Sequence, residues 1–166
     1  MVASMLRRIM AFIVLLLAAV ASVGAAGAAE DRVILKIDGK IAGSGDREFT
    51  RSQLESLGSG EIRTSTPWHE GVQTFEGVPL DTVMRAVGAQ GSKVVVVALN
   101  QYRTEIPLTD FADYKVLLAM KRGGQYMEVR DKGPLFVIYP FDGNPNLKSE
   151  RYYNRSAWQV RSITVE

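Results

Sequence analysis

The chain has 166 residues, 46% hydrophobic and 23% charged, a balance that fits a globular protein and excludes a disordered or collagen-like one. Its formal net charge is +2 at pH 7, from 20 basic and 18 acidic side chains, and it has no cysteine. That absence excludes disulfides, thiol nucleophiles, thiolate metal ligation and iron-sulfur clusters.

Residues 1–28 have the order of a secretory signal: Arg7 and Arg8, an apolar stretch over residues 9–23, then Ala26, Gly27 and Ala28 as a small-x-small cleavage pattern. The apolar run is short for a membrane span, which needs roughly 20 residues. Cleavage at Ala28 or Ala29 is therefore expected, with no membrane insertion afterwards. The arginine pair lacks most of the pattern of the folded-protein export route, so export as an unfolded chain is expected. One domain, residues 29–166, is then left in the periplasm or outside the cell. Loss of Arg7 and Arg8, with no acidic residue, leaves 18 basic against 18 acidic groups. A neutral domain has no general attraction for nucleic acid or anionic lipid, and neither is expected as a partner.

Within that domain, "RVILKIDGKI" alternates like a strand and predicts a hairpin-type turn at Asp38 and Gly39. "FTRSQLESLG" predicts a helix. Thr50 and Gln53 have capping-box spacing, Leu54 and Leu57 share a face, and Gly58 closes the end. "EIRTSTP" reads as a strand running into a loop over residues 64–71. "PLDTVMRAVGA" predicts a second short helix with Leu80, Val83, Met84 and Val87 on one side and Gly88 as its cap. The four valines of "KVVVVALN" predict a strand buried on both faces. After "YRTEIPL", Thr109 is placed to cap one helical turn at "DFADY", and "KVLLAM" and "QYMEV" flank a turn at Gly123 and Gly124. "PLFVIYP" and "WQVRSITVE" supply two more strands. Strands and short helices alternate without long regular crossovers, so the fold class expected is α+β with mixed sheets.

Reactive constellations are few. His69 is the only histidine, and Ser65 and Thr66 lie close to it, but the Gly-x-Ser-x-Gly elbow is absent and a loop histidine is the plainer reading. One histidine without cysteine does not make a zinc centre. "DGNPN" opens like a calcium loop, yet Leu147 stands where glycine is required and Tyr153 where the closing glutamate belongs, leaving a proline-containing turn. "RYYNR" reads as a solvated edge segment, with stacking on a ligand as its alternative. The two "GSG" stretches lack the strand-then-helix frame of a nucleotide site.

Five segments in order, "FEGVPLDTVMRAVGA", "VVVVALNQYRTEIPLTD", "KVLLAM", "KGPLFVIYP" and "SAWQVRSITV", resemble the oxidoreductase molybdopterin-binding family, whose fold is that of the sulfite oxidase catalytic domain. They span most of residues 33–166. The resemblance implies an α+β domain that, in active members, holds molybdenum through a pterin dithiolene and one cysteine thiolate. It places that cysteine in the loop before the aromatic-x-Gly-x-Pro-Leu segment. Here the loop is "RTSTPWHEG", and Ser65 is the counterpart by spacing, with Thr64 and Thr66 beside it. An unassisted alcohol keeps its proton at neutral pH and is a poor substitute for a soft thiolate. Phe136 replaces the arginine that follows Gly-Pro-Leu in active relatives. Asn100, Gln101 and Tyr102 replace their Asp-Gly-Tyr.

The expectation is an exported, non-redox domain of this fold that acts as a small-ligand-binding, accessory or sensory module. Its ligand is expected to be small and polar or anionic, and a membrane-bound partner protein is the further expectation. The candidate ligand-binding residues are Arg63, Thr64, Ser65, Thr66, Trp68, His69, Asn100, Tyr102, Arg103 and Lys132. No metal ligand and no cofactor are expected, although the resemblance allows molybdopterin. The competing expectation is a molybdopterin-dependent oxidoreductase with non-cysteine metal ligation.

Overall fold

The computed structural model describes residues 32–166. The secretory-signal reading of residues 1–28 lies outside the described residues. From Val33 to Glu166 the chain forms one unit built on two sheets, the first mixed and the second antiparallel.

The first sheet has the strand order β2-β1-β10-β5-β6, comprising β1 (Val33–Gly39), β2 (Arg47–Thr50), β5 (Lys93–Ala98), β6 (Arg103–Pro107) and β10 (Val160–Val165). Its first and last strands lie side by side, because β1 pairs in parallel with β10 in the register Lys36 to Ser162. Val94, Val95, Val96 and Val97 are all buried, as the valine run predicts for a strand covered on both faces. The turn predicted at Asp38 and Gly39 is a different structure. Gly39 ends β1, the Lys40 N–H bonds to the Val165 carbonyl, and seven residues pass before β2 begins. Gly39 adopts φ +88°, and a Cβ there would meet the Val165 backbone, so glycine serves close strand approach here and not a two-residue turn.

The second sheet runs β3 (Gly60–Thr66), β4 (His69–Pro79), β7 (Leu117–Arg122). The far edge of β7 is shared by β8 (Gln125–Tyr126) at one end and β9 (Phe136–Ile138) at the other. Gly77 lets β4 lie against β7, since a Cβ there would collide with the Leu118 carbonyl oxygen. Gly123 and Gly124, both at positive φ, make the predicted turn between β7 and β8.

Among the described residues, four short α-helices fill the gaps. Helix α1 (Arg51–Leu57) starts with the predicted capping box, in which Thr50 Oγ1 accepts from the Gln53 N–H and the Gln53 side chain accepts from the Thr50 N–H. Helix α2 (Leu80–Ala86) buries Leu80, Val83 and Met84, as its spacing predicts. Helix α3 (Leu108–Asp113) begins after Pro107, so Thr109 lies inside it and does not cap it. Helix α4 (Glu150–Arg155) corrects the reading of "RYYNR" as an edge segment: Tyr152 and Tyr153 are half-buried, and Arg155 pairs with the buried Asp110.

Two hydrophobic clusters result. The larger joins the first sheet to the helices and to Val78, Leu118 and Val137 of the second. The smaller gathers Ile62, Phe75, Leu117, Ala119, Met127, Phe136 and Ile138. Trp68 packs against both. Among the described residues no helix is long and apolar enough to cross a membrane.

Candidate functional site

The segment expected to be a loop over residues 64–71 is a β-hairpin. β3 and β4 pair from Gly60 opposite Gly77 up to Thr66 opposite His69, and only Pro67 and Trp68 turn at the tip. Strand alternation buries Thr64 and Thr66 and leaves Ser65 half-exposed on the opposite face.

Each of the three hydroxyls is spent within the protein. The Thr64 hydroxyl donates to the Ser65 carbonyl at 3.2 Å and accepts from the Asp142 N–H at 3.0 Å. Both the N–H and the hydroxyl of Ser65 donate to the Asp142 carboxylate, each at 2.6 Å. Lys148 closes the cluster at 2.7 Å from Asp142 Oδ1. Lys148, followed by the two bonds from Ser65, holds the Asp142 carboxyl well below the usual carboxylate range. Thr66 Oγ1 shares a hydrogen bond with His69 Nδ1 at 2.8 Å. His69 packs against the rings of Phe75 and Phe136. Burial, and after it the charges of Arg122 and Lys132, lowers its pKa to about 4, so it is neutral at pH 7.

On the other side of the hairpin tip, Trp68 opens onto a cavity of about 190 Å³. Its walls are aromatic: Trp68, Tyr102, Tyr153 and Trp158. Trp68 meets Trp158 at 5.5 Å and 66°, and Tyr153 at 5.9 Å and 81°. The polar lining is Asn100, Asn154 and Ser156. Asn100 Oδ1 accepts from the Tyr102 N–H at 3.0 Å, which fixes the bend after β5. The Tyr102 hydroxyl then donates to the Asn154 carbonyl at 2.7 Å, tying that bend to α4. Helix α4 is held from beneath, where the Asp110 carboxylate accepts from Arg155 at 2.7 Å and from the Tyr139 hydroxyl at 2.8 Å. Burial, reinforced by that bond, pushes the Tyr139 phenol far above its ordinary range, so it remains a donor. Phe136, found where the resemblance implies an arginine, is fully buried between Trp68, Trp158 and Phe75.

The structure thus brings together five of the predicted residues at the hairpin tip: Thr64, Ser65, Thr66, Trp68 and His69. Asn100 and Tyr102 line the cavity with Trp68. Lys132 lies at its margin, with its ammonium 4.5 Å above the Trp158 ring. Arg63 and Arg103 are exposed on β3 and β6 and do not line the cavity. Ser156 and Trp158 were not singled out by the sequence reading, whereas Tyr153 and Asn154 fall in "RYYNR", whose alternative reading was stacking on a ligand. Their signal was the density of aromatic and amide side chains from residue 152 to 158.

Residues 35–143 match the family described as oxidoreductase molybdopterin binding domain. The chain belongs to that family. Its fold is similar to that of the sulfane dehydrogenase SoxCD from Paracoccus pantotrophus, with a TM-score of 0.61 and 18% identity over 82% of this chain. The chain spans 38% of the length of that protein. None of the curated proteins compared matches it. Family membership makes molybdopterin the cofactor to test against the residues present, and Ser65, where the resemblance implies the metal ligand, does not fit that role. Ligation by Ser65 would require an alkoxide 2.6 Å from an ionised carboxylate, and Thr64 and Thr66 have their hydroxyls committed elsewhere. Among the described residues no group of three or more His, Cys, Asp or Glu side chains is placed to hold a metal ion.

Proposed function

We propose that this domain is a non-redox member of its family that binds a small ligand in the aromatic cavity beside Trp68, as an exported accessory or sensory module. The observation that carries the reading is the double hydrogen bond from Ser65 to Asp142, with Lys148 behind it. A position that would have to present an anionic oxygen to a metal is closed by a carboxylate, and the neighbouring cavity keeps a defined shape and an amide-bearing rim. Export rests on the signal-like residues 1–28. A membrane-bound partner protein is the counterpart that export and a ligand-sized cavity suggest.

Elemental mass spectrometry on protein purified from its native host tests the reading. Molybdenum well below stoichiometry is expected, and stoichiometric molybdenum would overturn it. The second reading, a molybdopterin-dependent oxidoreductase ligated through a hydroxyl, is favoured by family membership. It requires molybdenum and pterin to be lost together from Ser65→Ala protein.

A further inference from the structure

The cavity has features that narrow its ligand beyond size, and the argument rests on the binding reading above. A cavity of about 190 Å³ is slightly larger than one of ~150 Å³ that accommodates benzene, so it takes a single ring and little else. No charged residue lines it. Of the nearby charges, Arg155 is paired with Asp110, and Lys132 stands over the Trp158 ring at the margin. An ionic ligand would lose its hydration inside the cavity without a counter-charge in the lining, and Lys132 at the margin is the charge that an anion could still meet.

The walls form a corner and not a slot. Trp68 stands at 66° to Trp158 and 81° to Tyr153, so a flat heterocycle would cover one face and leave the other wall untouched. A puckered saturated ring directs C–H bonds at both walls, where the electron-rich ring faces favour them. The rim supplies donors and acceptors together. Asn100 has used only its Oδ1 and Asn154 only its backbone carbonyl, which leaves the Asn100 NH₂ and the complete Asn154 side-chain amide for a ligand among the described residues. The Ser156 hydroxyl donates to the Tyr152 carbonyl and so faces any ligand as an acceptor. Hydroxyl groups, which both donate and accept, match that rim better than the acceptor-only carbonyls of a proline-rich peptide.

We infer that the Trp68–Trp158 corner binds one uncharged pyranose ring, with the sugar's apolar face against the indoles and its hydroxyls on Asn100 and Asn154. Both tryptophans of the chain line the cavity, so intrinsic fluorescence reports on this site alone. The purified protein is titrated with the methyl glycosides of glucose, galactose and mannose and with N-acetylglucosamine. Capped hexaproline and sodium sulfate serve as comparison probes.

A saturable emission change with at least one sugar and neither comparison probe is expected. Trp158→Ala should weaken it by about tenfold or more. Asn154 is exposed, and Asn154→Ala should weaken binding about fivefold with an unchanged circular dichroism spectrum. Saturation by hexaproline or sulfate alone, or by no probe, would overturn the inference. Molybdenum is measured in the same preparation. A sugar-silent protein free of molybdenum sinks only the pyranose assignment, whereas a molybdenum-loaded one sinks the non-redox reading beneath it.

Discussion

The two flanks of the β3–β4 hairpin tip are built on opposite principles. On the Ser65 side every polar group meets a partner within the chain, so the Ser65, Asp142 and Lys148 cluster is chemically closed although it lies at the surface. On the Trp68 side the rings are packed edge to face, but the amides around them have bonding capacity left over. At the flank where the family resemblance implies a metal ligand the polar groups form a clasp, while the aromatic flank holds a cavity. Polarity alone is therefore a poor guide to a site, and what matters is which donors and acceptors remain uncommitted.

Substitutions can break this contrast at different points. The largest effect is expected from Phe136→Ala, which removes the ring packed against Trp68 and Trp158 and should cost about 3–5 kcal/mol in urea unfolding, together with the cavity. Asp110→Ala strands the mostly buried Arg155 and the Tyr139 hydroxyl. It should cost about 3 kcal/mol, with ligand affinity falling because α4 is no longer fixed. Asp142→Ala should cost about 1–2 kcal/mol by thermal unfolding and leave the tryptophan emission unchanged, since it touches only the clasp. An emission shift in that variant would mean that the two flanks are not independent.

The smallest effect concerns His69 and pH. Unfolded, its ring takes up a proton near pH 6.5, whereas in the fold it does so near pH 4. The stability of the neutral ring is therefore complete above pH 6.5 and is lost as the pH falls toward 4. Discounted for partial exposure, the loss is about 1 kcal/mol, and His69→Gln should flatten that part of the stability profile. The Asp142 contribution lies in a separate window. Its pKa is depressed, so it is complete above the ordinary carboxylate value of 3.8 and is lost only as the pH falls below it.

The sequence revealed structure wherever the signal was local. The capping box at Thr50 and Gln53, the four buried valines and the Gly123 and Gly124 turn each depend on residues within a few positions of one another. The hairpin over residues 64–71 was hidden because its turn, Pro67 and Trp68, lacks the usual glycine and asparagine chemistry. Helix α4 was hidden because six residues form no stable helix alone. Asp110, Tyr114 and Tyr139 hold it, 38 residues away or more in two of its contacts. The candidate site was legible in part: Trp68, Asn100 and Tyr102, named from the sequence, line one cavity. The partner of Ser65 lies 77 residues away, and nothing near Ser65 announces it.

Trp68 belongs to both hydrophobic clusters as well as to the cavity wall. A guest pressed against that indole would lean on the keystone between the two sheets. Occupancy should therefore slow amide hydrogen exchange along β4 and β9, strands that the guest itself never touches.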